Sequence, residues 1–167
     1  SLVKRDFTSW TREVNSWSLF SVAALGTGIL MGGKWAYEAL SFGGFWAWDP
    51  VENASLVPWL FLVAGLHTLL IFKSTGHSLK ATYTLLILGF GFVLYSTFLT
   101  RSGILGDSSV HSFTDLGMTG QLLVFLGILL IPAFLLMAFY WSKIPDIKQE
   151  EHTRSREFWM FMGVLFI

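Results

Sequence analysis

Residues 120–141 read GQLLVFLGILLIPAFLLMAFYW, twenty-two positions without one charged side chain. At ~1.5 Å per residue, a helix of that length covers the ~30 Å hydrocarbon core of a bilayer. In lipid the backbone N–H and C=O groups must bond one another, so an uninterrupted apolar run of this kind is helical. Pro132 lies inside it. Neighbouring helices can satisfy the carbonyl that proline frees, so a kink is expected there rather than a break.

The pattern repeats toward the N-terminus. Residues 81–100 and 14–33 are each twenty residues without charge, and residues 53–72 are interrupted only by His67. Residues 158–167 begin a fifth apolar run, too short to cross. The fold class is therefore all-α, a polytopic transmembrane bundle with four complete spans and the start of a fifth. Composition agrees: 53% of the 167 residues are hydrophobic and 13% charged, with a mean hydropathy of +0.60, far from an ordinary soluble domain. The first residues are charged and polar, unlike a signal peptide. A chain that stops inside an apolar run is expected to be a piece of a longer protein. A net charge of zero gives no basic patch for nucleic acid. With no cysteine, the chain itself offers no thiolate ligand or thiol nucleophile, so any sulfur chemistry must arrive on a partner.

The cations fall unequally. Lys4, Arg5, Arg12, Lys73, Lys80, Lys143, Lys148, Arg154 and Arg156 lie on one side of the spans, and only Lys34 and Arg101 on the other. By the positive-inside rule the first set is cytoplasmic. Residues 1–13 then form an interfacial or cytoplasmic segment, and residues 143–157 a cytoplasmic loop. Residues 41–54 and 101–119 are outer loops that share one membrane face.

The first outer loop opens the stretch FGGFWAWDPVENASLVP, residues 42–58. Asp49 is a good N-cap, Pro50 suits the first helical position, and Glu52 stands where a capping box wants an acid. Trp35, Tyr37, Trp46, Trp48 and Trp59 are placed either as an interfacial belt or as a platform for a flat ligand. Gly28 and Gly32 make a small-xxx-small pair that would admit another helix, or are incidental glycines. His67 lies about two thirds along its span. It is either a neutral imidazole bonded to a neighbouring helix or an axial ligand, most naturally of heme iron. His111 stands in the second outer loop, where it is solvated or a ligand; His77 and His152 lie among cytoplasmic charges and read as solvated. Arg101 closes its span at the outer face, as a headgroup anchor or a partner for a ligand carboxylate.

GGFWAWDPVENAS at 43–55 with PWL at 58–60 resembles the tryptophan-rich WWD signature of the heme-handling proteins of cytochrome c biogenesis. The continuation PVENAS, LHTL at 66–69, TFLTRSG at 97–103 and VHSF at 110–113 are similar to the heme lyase branch, the CcmF/NrfE type, rather than the delivery branch. That resemblance implies a heme lyase acting within a complex. It would bind heme brought by a chaperone to the outer face of the bacterial inner membrane and assist its thioether attachment to the CXXCH cysteines of an apocytochrome c. A thiol-reducing partner, other maturation subunits and membrane lipid are further implied partners. His111 matches an axial ligand of that external heme. His67 matches an axial ligand of a resident heme b that keeps the incoming iron reduced. Phe45, Trp46, Trp48 and Asp49 would form the platform, with Arg101 as a propionate partner; no residue serves as a nucleophile. The partner histidines would lie outside this chain, one on each flank. Phe42 and Phe45 stand where the family commonly has tryptophan, which keeps a flat face and removes an indole donor. The loop around residues 106–109 is slightly longer than the family's, which would shift His111 relative to the shelf. Three other readings stay open: a heme delivery or export subunit without ligation, a membrane heme b electron carrier whose shelf docks a quinol, and a structural membrane subunit.

Overall fold

The computed structural model describes residues 3, 6–39, 44–109, 111–113, 117–145 and 155–166. Five α-helices follow in order: α1 (Thr11–Ala39), α2 (Pro50–Thr75), α3 (Leu79–Arg101), α4 (Thr119–Tyr140) and α5 (Arg156–Phe166), with one 3-10 turn at Trp141–Lys143. The first four are long and apolar enough to cross a membrane, so the transmembrane helical bundle is the observed fold. The first three helices outrun their uncharged stretches. α1 begins at Thr11 and takes in Arg12, Glu13, Lys34 and Glu38, which shortens the surface segment expected over residues 1–13. The reason is that helical hydrogen bonding continues into the headgroup layer, where charges are tolerated; Lys34 and Glu38 pair there across one turn at 3.7 Å. Ahead of the helix, the Asp6 carboxylate accepts from the amides of Thr8 and Ser9 at 3.1 and 3.0 Å, a turn that delivers the chain to Thr11. α4 runs through Pro132 without interruption. Residues 41–43, most of 143–157, and His152 and Ile167 lie outside the described residues.

α2 and α3 form the central pair, joined by a tight turn in which Gly76 takes the left-handed conformation that caps α2. Each helix presents a glycine to a leucine of the other. A Cβ on Gly65 would stand 2.8 Å from Leu86 Cδ2 and 3.3 Å from the Leu86 amide, and one on Gly89 would stand 3.1 Å from Leu62 Cδ2. Small residues let the backbones approach where no hydrophobic effect drives helices together in lipid. Thr68 and Thr82 are fully buried along the pair, their hydroxyls donating to the Gly65 and Ser78 carbonyls at 3.0 Å each. Gly65→Leu in the full-length protein is expected to lower stability by roughly 1–3 kcal/mol through overpacking. A depressed thermal midpoint in detergent checks this, and an unchanged midpoint would remove the close approach from the account.

α1 joins α2 through Trp59. Its indole N–H donates to the Val22 carbonyl at 3.0 Å, and a Cβ on Gly26 would stand 2.8 Å from that nitrogen. Trp59 is thus part of a helix joint and not of a belt. No atom lies within 4 Å of a Cβ placed on Gly28 or Gly32, so among the described residues no helix uses that pair. α4 rests on α3, and α5 lies against α2.

The helix ends gather into two groups. Phe72, Leu79, Tyr83 and Ile144 form a buried cluster with Phe7 and Trp10 packed on it, the Trp10 and Tyr83 rings stacked at 4.8 Å. That cluster unites the start of α1, the α2–α3 turn and the end of α4. At the opposite end, the start of α2 meets the loop after α3 through Ser109 and Asp49, and Thr119 at the start of α4 donates to the Ser102 carbonyl at 3.2 Å. Residues 44–49 and the His111 loop therefore occupy one end of the bundle, the grouping expected from the cations.

Candidate functional site at the joined loops

The first turn of α2 organises this end. Asp49 Oδ1 accepts from the Val51 amide at 2.8 Å, and Glu52 Oε2 accepts from the Asp49 amide at 3.1 Å, the expected capping box with Pro50 at the helix start. Glu52 reaches one step further and accepts from the Ala47 amide at 2.9 Å. Asn53 Nδ2 donates to the Trp48 carbonyl at 3.0 Å. Residues 47–49 are thus held from both sides of Trp48, whose φ of +58° is left-handed. For a tryptophan that conformation costs on the order of 1–3 kcal/mol and persists only where the surroundings impose it. The result is an indole that projects outward, 69% exposed, edge-on to Trp46 at 6.2 Å between ring centroids.

Phe45 settles on α1. A Cβ on Gly33 would stand 2.6 Å from the Phe45 ring and 2.9 Å from its carbonyl oxygen. Gly33→Ala is expected to push the Phe45 segment away and lower the thermal midpoint of the full-length protein by the equivalent of about 1–3 kcal/mol. Gly32→Ala, which meets nothing within 4 Å, should leave the midpoint near wild type; equal midpoints for the two variants would contradict this packing.

Asp49 also receives the second loop. Ser109 Oγ donates to Asp49 Oδ1 at 2.6 Å across sixty residues of sequence, and accepts from the His111 amide at 3.1 Å. His111 Nδ1 lies 3.3 Å from the same carboxylate oxygen, near enough for attraction but out of hydrogen-bond alignment. Both side chains are largely withdrawn from solvent, 17% exposed for His111 and 12% for Asp49. Burial alone would raise the Asp49 carboxyl. Hydrogen bonds from Ser109 and Val51, with His111 beside them, outweigh burial and hold it below its ordinary value.

Together these elements line a cleft of about 190 Å³ bordered by Gly28, Gly32, Gly33, Trp35, Trp46 and His111. The glycines that admit no helix instead leave open space beside the shelf. Trp35 stands edge-on to His111 at 6.1 Å, and the Trp46 indole nitrogen is buried without a hydrogen-bond partner, a donor still available to a ligand. Arg101 is not in the cleft wall: its guanidinium lies over the Phe113 ring at 4.3 Å. His67 lies far from the cleft, within α2. Its Nδ1 is 2.8 Å from the Val63 carbonyl of its own helix, so the hydrogen-bond partner is local and not a neighbouring helix. Nδ1 then carries the proton, and Nε2 keeps a free lone pair.

Against known families, residues 2–105 match the model described as cytochrome C assembly protein. The chain belongs to that family. Within the cytochrome c assembly family it groups with the CcmF/NrfE type. It is 45% identical over 118 residues, 71% of the chain and 18% of the relative, to the cytochrome c-type biogenesis protein ccl1 of Rhodobacter capsulatus. It is 39% identical over 161 residues to CcmF of Haemophilus influenzae, 96% of the chain and 24% of the relative, an alignment that takes in the His111 loop. NrfE of the same organism is 45% identical over 102 residues, 61% of the chain and 16% of the relative. The chain thus spans about a fifth of the length of these curated relatives. No solved structure matches it.

Residue-by-residue reading of the sequence found the cap at the start of α2; it left His67 and His111 with open alternatives. It missed Ser109, the fold-back of Glu52, the strain at Trp48 and the spatial role of the α1 glycines. Only the serine pair before His111 offered a signal, since a hydroxyl near a buried carboxylate is a natural donor.

Proposed function

We propose that the protein to which this chain belongs serves cytochrome c maturation, taking heme at the outer face of the bacterial inner membrane and helping to join it to CXXCH cysteines of an apocytochrome c. One observation carries this reading: the Ser109 bond to Asp49 brings His111 to the cleft lined by Trp35 and Trp46, so that an aromatic apolar wall and an imidazole converge. The names of the relatives, all cytochrome c-type biogenesis proteins, support the process.

Heme here is substrate. The Trp46 indole, which lines the cleft, suits a porphyrin face, with Trp48 perpendicular to it and so able to meet only the ring's edge, and His111 Nε2 suits its iron. The thiol belongs to the apocytochrome. Its sulfur bonds to one vinyl carbon of the heme, its proton goes to the other, and the S–H bond and vinyl π bond are lost with no net oxidation. The chain's share is orientation: holding the vinyl beside a delivered thiol turns a bimolecular encounter into an intramolecular one, worth several kcal/mol of barrier. No nucleophile or general base of the chain is required.

For a resident heme b, the half-buried His67 fits as a ligand. Its Nδ1 is occupied by a carbonyl, the arrangement that orients metal-bound imidazoles. Such a heme would supply one-electron chemistry for keeping the substrate iron reduced. A heme chaperone, an apocytochrome and a thiol reductant are the partners this reading requires. The experiment is deletion: cells lacking the full-length protein should accumulate apocytochrome c, whereas normal holocytochrome yield in those cells would overturn the proposal.

A further inference from the structure

Asp49 does more than an N-cap requires. The Val51 amide alone would satisfy a capping carboxylate, yet the same oxygen also takes the Ser109 hydroxyl at 2.6 Å and faces His111 Nδ1 at 3.3 Å. Ser109 is itself buried and holds two things at once, the carboxylate through its O–H and the His111 backbone through its oxygen. Its own amide is bonded to the Leu105 carbonyl at 2.9 Å, which ties the whole arrangement back to the turn after α3.

We infer that Asp49 is the positioning residue for His111: its carboxylate accepts from Nδ1–H and thereby turns Nε2 toward heme iron in the cleft, with Ser109 locking the two loops together. This rests on the proposed heme reading of the same site. Ligating histidines generally give their second N–H to a carboxylate or carbonyl, which fixes the tautomer and makes the imidazole a stronger donor. At 3.3 Å a small rotation of the imidazole is enough to bring Nδ1–H into line with the carboxylate. Tying the imidazole to a carboxylate also favours ferric over ferrous iron, so the residue that starts α2 bears on the redox state of the substrate.

The test is Asp49→Asn in the full-length protein in detergent, titrated with hemin. Asparagine still caps the helix and still accepts from Ser109 and Val51, but it removes the charge facing His111. Hemin affinity is expected to fall about 10- to 100-fold, and the reduction potential of the added heme to rise. Wild-type affinity and potential would overturn the inference. Should Asp49→Asn fail to fold, Ser109→Ala carries the test, since it leaves cap and charge in place: weaker hemin binding supports the lock, and unchanged binding and potential overturn it. His111→Ala run in parallel separates the two levels. If it abolishes hemin binding while Asp49→Asn does nothing, only the positioning role falls; if it too leaves binding unchanged, the heme reading of this site falls.

Discussion

Replacing His111 by alanine in the full-length protein is expected to reduce holocytochrome c in cells to below about a tenth of wild type. Removing a hydrogen-bond partner of a ligand typically costs 10–100-fold in metal affinity, so removing the ligand itself costs no less. The loss should come without unfolding. His111 lies in a loop, its amide is held by Ser109, and among the described residues its ring makes an edge contact with Trp35 and the loose approach to Asp49. Heme staining of cell fractions together with immunodetection of the protein checks both halves: normal protein level with vanishing holocytochrome is the expected pair.

The second large effect lies in the membrane. His67→Ala should abolish the b-type absorbance of the reduced, purified full-length protein. An imidazole kept for structure would be bonded across to another helix. This one bonds the carbonyl four residues back on its own helix, an acceptor that an α-helix already uses, so its removal leaves no buried partner stranded. The surrounding packing of Leu66, Thr68 and Leu69 is retained in the variant, and its thermal midpoint should stay near wild type. Persistence of the absorbance would remove the heme b assignment and leave His67 as an ordinary satisfied side chain.

How much of this was visible in the sequence depends on how local each feature is. The spans were legible because twenty uncharged residues leave the backbone no alternative to a helix. The capping box was legible because Asp49, Pro50 and Glu52 act within one turn. Glycine roles were not. Gly26 and Gly33 receive Trp59 and Phe45, whereas Gly28 and Gly32 face open space, and four similar residues on one helix cannot be sorted without knowing which neighbour each one meets. Trp59 reads as a belt or platform residue in the sequence because its hydrogen-bond acceptor, the Val22 carbonyl, is thirty-seven residues away. The Ser109 contact spans sixty, and no periodicity reports such a distance. The heme assignments came from the resemblance of whole motifs and not from any residue read singly.

The proposal that the shelf and the His111 loop form one heme site is tested most directly by exchange of the proposed axial ligand. His111→Met in the full-length protein, loaded with hemin and followed by potentiometric titration, should raise the reduction potential of the added heme, because thioether ligation favours ferrous iron. A potential equal to wild type would mean that residue 111 does not touch the iron, and the joined-loop site would be contradicted.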